Sequence, residues 1–397
     1  MKILTIFGTR PEAIKMAPVV LHLKEAGGFQ VKVAVTAQHR QMLDQVLDLF
    51  GIVPDFDLDL MRPDQDLFDI TIRVLEGLKE VLAQEKPDLV LVHGDTTTTL
   101  AAALAAYYFR IPVGHVEAGL RTRDKYRPYP EEINRRLTGV LADYHFAPTP
   151  WARDNLLAEG VPAANIWVTG NTVIDALQIV AAQVAKEKDL WEQYFFEHHG
   201  ISLDGQRIIL VTGHRRENFG PGFENICLAL RDLVEQVPDV HLIYPVHLNP
   251  NVQQPVYRIL SQGSTLIRRE GAPASLQATG GSRLSLLPPL DYAPFIFLLT
   301  QSYLVLTDSG GIQEEAPALG KPVLVMREVT ERPEGVWAGI VKLVGASREK
   351  IFRAAQELLD NPDCYQAIAQ AKNPYGDGQA AQKIVAILIQ ALGEEQG

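Results

Sequence analysis

The sequence predicts an α/β protein built on two doubly wound sheets of parallel strands. Short, near-continuous apolar runs recur along the chain, the signature of strands buried on both faces. Each run is followed by a loop and then an amphipathic stretch, which is the alternation of right-handed strand–helix–strand crossovers. The chain has 397 residues, more than one hydrophobic core organises, so two domains are the default.

In the first part the apolar runs are KILTIFGT, VKVAVTA, DLVLVHGD, PVGHVEAG, YHFAPT and IWVTGN. In the second they are RIILVTGH, VHLIYPVH, LSLLPPL, YLVLTDSGG, PVLVMRE and IVKLVG, so each sheet should hold six strands. EAIKMAPVVLHLKEAG and TLAAALAAYYF read as intervening helices, and Tyr292–Thr307 as a buried helix followed by a strand. The rhythm breaks between Asn171 and Gln206, at the charged segment AKEKDLWEQYFFEHHG. This places a first domain at 1–171 and a second at 172–372. Residues 373–397 contain GDGQAAQKIVAILIQAL, which has helical period and no following strand; a helix crossing back to the first domain is expected. Residues 262–283 are polar, Gly-rich and aperiodic, and read as a mobile surface loop.

Composition narrows the function. The net charge is −11 with no Lys/Arg run, which argues against a nucleic-acid partner. An anionic substrate would then need a local positive cluster to overcome the bulk field. Cys227 and Cys364 stand far apart without ligand spacing, so neither a disulfide nor a zinc site is expected, and a reducing cytoplasm fits. His22, His39, His93, His115, His145, His198, His199 and His241 show no metal spacing. Arg10 and Glu12 interrupt the apolar run Ile3–Phe7, so no secretion signal is expected, and no stretch is long enough to span a membrane.

Ligands of open α/β sheets bind at the carboxyl ends of strands, so the residues that end each run carry the functional expectation. Those residues are Arg10, Asp95, Glu117, the trio His214, Arg215 and Arg216, His247, and Asp308–Ser309 with Gly310 and Gly311. Taken singly, Asp95 and Ser309 read at least as well as helix caps. Arg10 and Lys15 flank a helix start marked by Pro11, an arrangement suited to an anion. Ser309, Gly310 and Gly311 allow close backbone approach to a diphosphate, and Glu315 lies near enough to accept ribose hydroxyls or simply be solvated. Three carboxylates, Asp95, Glu117 and Glu131, suit acid–base work; either Glu131 or Glu132 could instead favour the helix dipole.

Together, FGTRPEAIKMAP, VTAQHRQMLDQV, LVHGDTTTTLA, GHVEAGLRT, PEEINRR, VTGNTVIDAL, VTGHRREN, YPVHLNPNV, TDSGGIQEEAPALGKPVLVMR, TERPEG and NPYGDGQA resemble the non-hydrolysing UDP-N-acetylglucosamine 2-epimerases from Met1 to about Ala381. The resemblance implies a glycosyltransferase-B-type fold, with two Rossmann-like domains facing a central cleft. It implies an isomerase without cofactor or metal, UDP-N-acetylglucosamine and UDP as ligands, a homodimer and a role in polysaccharide synthesis. By position it implies catalytic roles for Asp95, Glu117, Glu131 and His214. Substrate contacts fall to Arg10, Lys15, Phe295, Ser309, Gly310, Gly311, Glu315 and Arg332. Many relatives bind a second UDP-N-acetylglucosamine as an activator; Gln38, Gln41, Glu131, Arg215 and His247 match that site. Asp64 stands where such relatives carry a basic residue, and Leu290 where some carry Gln.

No carbonyl acidifies the hydrogen at carbon 2 of such a sugar, and the sequence has no nicotinamide fingerprint to oxidise it first. The remaining route begins with departure of UDP from carbon 1. Alternatives are a UDP-sugar glycosyltransferase of the same fold, a hydrolysing epimerase, and a non-catalytic nucleotide-sugar sensor.

Overall fold

The computed structural model describes residues 1–397 apart from 38–39, 61, 63–64, 261–263, 268–274, 279–282 and 395–397; for 41, 264–267, 275–278 and 393–394 only the backbone is described. Gln38, His39 and Asp64 therefore lie outside the described residues. The chain divides into two compact units, one of residues 1–178 with 375–397, the other of residues 179–374.

The first unit is built on β1 (Lys2–Phe7), α1 (Arg10–Ala26), β2 (Gln30–Val35), α2 (Arg40–Leu49), β3 (Phe56–Asp57) and α3 (Leu67–Glu85). It continues with β4 (Leu89–His93), α4 (Thr97–Tyr108), β5 (Val113–Val116), α5 (Glu131–Leu141), β6 (Tyr144–Ala147), α6 (Pro150–Ala158) and β7 (Ile166–Val168). The strand order is β3-β2-β1-β4-β5-β6-β7, and every pairing is parallel. Six strands are the six expected runs. The seventh, β3, has two residues and no apolar run to announce it. Every residue of β4 and β5 is buried, as continuous apolar strands require. Leu4, Ile6, Val90 and Val92 join Val74, Leu78 and Leu82 of α3 and the alanine face of α4 in one core.

Helix α7 (Thr172–Lys186) begins in the first unit and ends in the second. The second unit then runs α8 (Lys188–Tyr194), β8 (Arg207–Thr212), α9 (Pro221–Gln236), β9 (Val240–Pro245), α10 (Pro250–Leu260), β10 (Ser264–Ile267), β11 (Ser275–Ala278) and β12 (Leu284–Leu287). After these come α11 (Tyr292–Gln301), β13 (Leu304–Thr307), α12 (Ile312–Ala318), β14 (Val323–Val325), α13 (Pro333–Trp337), β15 (Val341–Leu343), α14 (Arg348–Asp360) and α15 (Pro362–Ala369). Its order is β10-β11-β12-β9-β8-β13-β14-β15. Six parallel strands again match the runs.

Two expectations need correction here. The 262–283 segment is not a structureless loop: β10 pairs antiparallel with β11, and β11 antiparallel with β12. The second sheet is therefore mixed at this edge, a common arrangement on an otherwise parallel sheet.

The last helix, α16 (Ala380–Glu394), packs against α1 in the first unit. Its first amides are held by Asp175 of α7, which accepts from Ala380 N at 3.2 Å and Ala381 N at 2.8 Å. Beside it, Gly170 and Gly376 both have left-handed backbones, and a Cβ on Gly170 would lie 3.3 Å from the Gly376 Cα. Only glycine lets these two segments approach so closely.

Replacing Asp175 with Ala should remove about 0.5–2 kcal/mol, the usual worth of a helix-end acceptor. Hydrogen exchange read by mass spectrometry should speed up at Ala380 and Ala381 first. Unchanged protection there would show that α16 is pinned by packing alone.

Candidate active site

The first unit's reactive groups sit at the carboxyl edge of its sheet. Strands β1 and β4 are neighbours, and the chain leaves them in opposite directions along the sheet. Such a switch point opens a crevice at the strand ends. Arg10 and Lys15 follow β1, and Asp95 follows β4. Glu117 follows β5, and His93 pairs in register with Val116, so Asp95 and Glu117 leave adjacent strands at nearly one level.

Glu12 joins the first two of these turns. Buried in α1, it accepts from Gly8 N at 3.0 Å and Thr9 N at 2.7 Å. It also accepts from the hydroxyls of Thr96 at 2.6 Å and Thr99 at 2.9 Å. Arg10 opens α1 at this turn and, among the described residues, makes no side-chain hydrogen bond or ion pair.

Asp95 does not cap α4. Thr96 does, its hydroxyl accepting from Thr99 N at 3.1 Å. The Asp95 carboxylate instead pairs with Arg135 of α5, Oδ2 to Nη2 at 2.7 Å. Burial raises the Asp95 pKa to about 6; Arg135 opposes that rise, and Glu117 and Glu131 add to it.

Glu117 has φ of +63°, a left-handed backbone that costs a residue with a Cβ about 1–3 kcal/mol. Its Oε2 receives the Lys15 ammonium and, at 2.8 Å, the Asn171 amide. His93 Nε2 lies 3.9 Å from the same oxygen. Burial lowers the His93 pKa to about 4 despite the pull of Glu117, so the ring is neutral at pH 7.

Glu131 opens α5, and its Oε2 is buried with no hydrogen-bond partner among the described residues. Glu132 turns the other way and accepts from Thr122 N at 3.0 Å and Arg123 N at 3.1 Å.

The second unit repeats the arrangement with cations. Strands β8 and β13 meet at its switch point. Asp308, fully buried after β13, accepts from His214 N at 3.0 Å and Arg215 N at 2.9 Å. It thereby fixes the turn after β8. The His214 ring stacks on His247 with centroids 5.3 Å apart. Burial lowers the His214 pKa; Asp308 opposes this, and His247 and Arg215 reinforce it.

Ser309 does not cap α12 either; Gly311 holds that position. A Cβ on Gly310 would lie 2.4 Å from Arg332 Nη1 and 2.8 Å from Glu331 Oε1. This glycine is therefore required by the Arg332–Glu331 pair, not by ligand approach alone. Arg332 also binds Glu314. Glu331 gathers Arg332 at 3.0 Å, Arg215 at 3.1 Å and Arg327 at 2.5 Å. Burial pushes the Glu331 pKa up, but these three guanidinium groups outweigh it and hold the value at about 2.

Glu315 is buried, and its Oε1 accepts from the Tyr292 hydroxyl at 2.8 Å. Phe295 lies one turn beyond Tyr292 on α11, partly exposed. Gln41 lies on α2, with no described side chain.

A family model described as UDP-N-acetylglucosamine 2-epimerase matches residues 21–389. The UDP-N-acetylglucosamine 2-epimerase of Escherichia coli K12 is 56% identical over 388 residues, 98% of each chain. The chain therefore belongs to the UDP-N-acetylglucosamine 2-epimerase family.

Solved structures of the family share this fold. The UDP-GlcNAc 2-epimerase from Neisseria meningitidis, bound to UDP-GlcNAc, is 49% identical with a TM-score of 0.86, covering 98% of this chain and 100% of that one. The Methanocaldococcus jannaschii enzyme, in complex with UDP-GlcNAc and UDP, is 32% identical with a TM-score of 0.77, covering 98% and 100%.

In this epimerase-family chain, sequence reasoning missed Glu12, His93, Arg135 and Asn171 as parts of the site. Two of them carried a signal. Asn171 ends the run IWVTGN, and Arg135 stands four residues after Glu131, on the same face of α5.

The Asp95 shift has a sign that can be measured. Its folded pKa lies above the ordinary value, so the stability it contributes is whole below about pH 4 and is lost as pH rises through about 6. An Asp95→Asn variant cannot ionise there. Its melting temperature relative to the parent should climb between pH 4 and pH 7; a flat difference would contradict the shift.

Proposed function

We propose that this chain interconverts UDP-N-acetylglucosamine and UDP-N-acetylmannosamine by inverting carbon 2. The observation that carries the reading is a family match over nearly the whole chain, joined to Asp95 and Glu117 on adjacent strand ends.

The reaction starts at carbon 1. The C1–O bond breaks and its electron pair leaves on the UDP diphosphate. A carboxylate takes the carbon 2 proton, and that C–H pair becomes the C1=C2 bond of 2-acetamidoglucal. UDP then re-adds at carbon 1 while a proton is delivered to the opposite face of carbon 2.

Asp95, Glu117 and Glu131 are the proton-handling groups in this reading. Asp95, with a pKa of about 6, can both take and give a proton near neutrality. The departing diphosphate is met by Arg10, Lys15, His214, Arg332 and the Ser309–Gly311 amides, since stabilising the leaving charge is the largest demand. Lys15 is at the same time the partner of Glu117, which links phosphate departure to the charge on that carboxylate. Glu315 takes the ribose and Phe295 lies beside the uracil. Gln38, Gln41, Arg215 and His247 are assigned to a second, activating UDP-sugar.

Among the described residues no helix is long and apolar enough to cross a membrane. The reading is completed by a cytoplasmic homodimer that supplies polysaccharide synthesis.

Incubation with UDP-N-acetylglucosamine alone in heavy water should place deuterium at carbon 2 of both epimers. Transfer or hydrolysis without exchange would refute the reading. Alanine at Asp95, Glu117 or Glu131 should lower kcat by about 10²–10⁴ with UDP affinity largely kept. Near-normal turnover in all three would remove the assignment. Chelators should leave the rate unchanged.

A further inference from the structure

We propose that Arg135 is the positioning residue for Asp95, holding its carboxylate from α5. This rests on the reading of Asp95 as a proton-transferring group.

Two consecutive residues of α5 grip one residue of the β4–α4 turn. Asn134 Nδ2 donates to the Asp95 backbone carbonyl at 3.0 Å, and Arg135 Nη2 forms an ion pair with Oδ2 at 2.7 Å. Backbone and side chain of Asp95 are thus fixed from a helix 39 residues further along the chain. The grip is one-sided. Asp95 Oδ1 has no hydrogen-bond partner among the described residues, which leaves it as the oxygen for the travelling proton.

Arg135 is itself well supported. Its side chain is 10% exposed, and Glu132 lies 3.6 Å from Nη1 while accepting the Thr122 and Arg123 amides. Its Nε is buried without a partner.

The charges around Asp95 come from every neighbouring element. Arg135 and Glu131 belong to α5, Glu117 to the end of β5 and Lys15 to α1; His93 on β4 is neutral. Burial and the two carboxylates favour the protonated acid. Arg135 is the larger of the two opposing cations. Without it, Asp95 would be protonated well above its present midpoint.

The test uses the full chain labelled with ¹³C-carboxyl aspartate. The Asp95 signal is assigned by its loss in Asp95→Asn, and its titration is followed beside the pH dependence of kcat. Arg135→Gln should move the Asp95 midpoint upward by about one unit or more, and the matching limb of the kcat profile with it, KM changing little. Arg135→Lys should keep the midpoint near that of the parent but lower kcat about tenfold, because a point charge does not fix orientation as a planar fork does.

An unmoved midpoint in Arg135→Gln overturns the proposal, whatever happens to kcat. If that variant does not fold, Arg135→Lys decides: unchanged kcat overturns the positioning role. Full activity in Asp95→Asn would instead discard the catalytic reading, and the titration would still report on the grip.

Discussion

Like charges gathered in one place must be compensated, and both units are organised around that requirement. Glu117 and Glu131 both act on Asp95 at the carboxyl edge of the first sheet. Partly buried charges a few ångströms apart repel strongly, since the medium screens them less than water does. Lys15 and Asn171 are set on Glu117, and Arg135 on Asp95. The second unit inverts the problem. Arg215, Arg327 and Arg332 converge on the carboxylate of Glu331, and Glu217 and Glu314 pair with two of them in addition. Lys15 on Glu117 and the three arginines on Glu331 are hydrogen-bonded as well as ionic, so they fix geometry as well as charge.

Sheet topology makes such gatherings possible. In a parallel sheet all carboxyl ends share an edge, so residues far apart in sequence emerge side by side. That is why the site was partly legible in the sequence. Asp95, Glu117, His214 and Asp308 each end or follow an apolar run, and the runs themselves were readable from their burial on both faces. The helix-cap reading of Asp95 and Ser309 fails for a local reason: Thr96 and Gly311 occupy the cap positions instead.

What escaped the sequence escaped for physical reasons. The strand β3 is two residues long, and periodicity needs more than that to register. The β10–β11 hairpin lies in a polar, Gly-rich stretch, where ladder hydrogen bonds rather than an apolar face define the strands. Gly310 looks like a phosphate-loop glycine, yet the groups that exclude a side chain there come from residues 331 and 332. Arg135 looks like one more surface charge on an amphipathic helix until the β4–α4 turn is brought against it. Such roles are pairwise across loops, and a linear reading sees one partner at a time.

The first unit is discontinuous: α16, which packs on α1, is held by Asp175 from 205 residues upstream. During synthesis the ribosome delivers β1 to β7 first, then all of the second unit, and α16 afterwards. The inserted unit can therefore reach its native state while its host still lacks a wall. Until α16 arrives, the surface of α1 that it covers stays open to solvent and to chaperones, so maturation of the first unit is timed by translation of residues that follow the whole of the second.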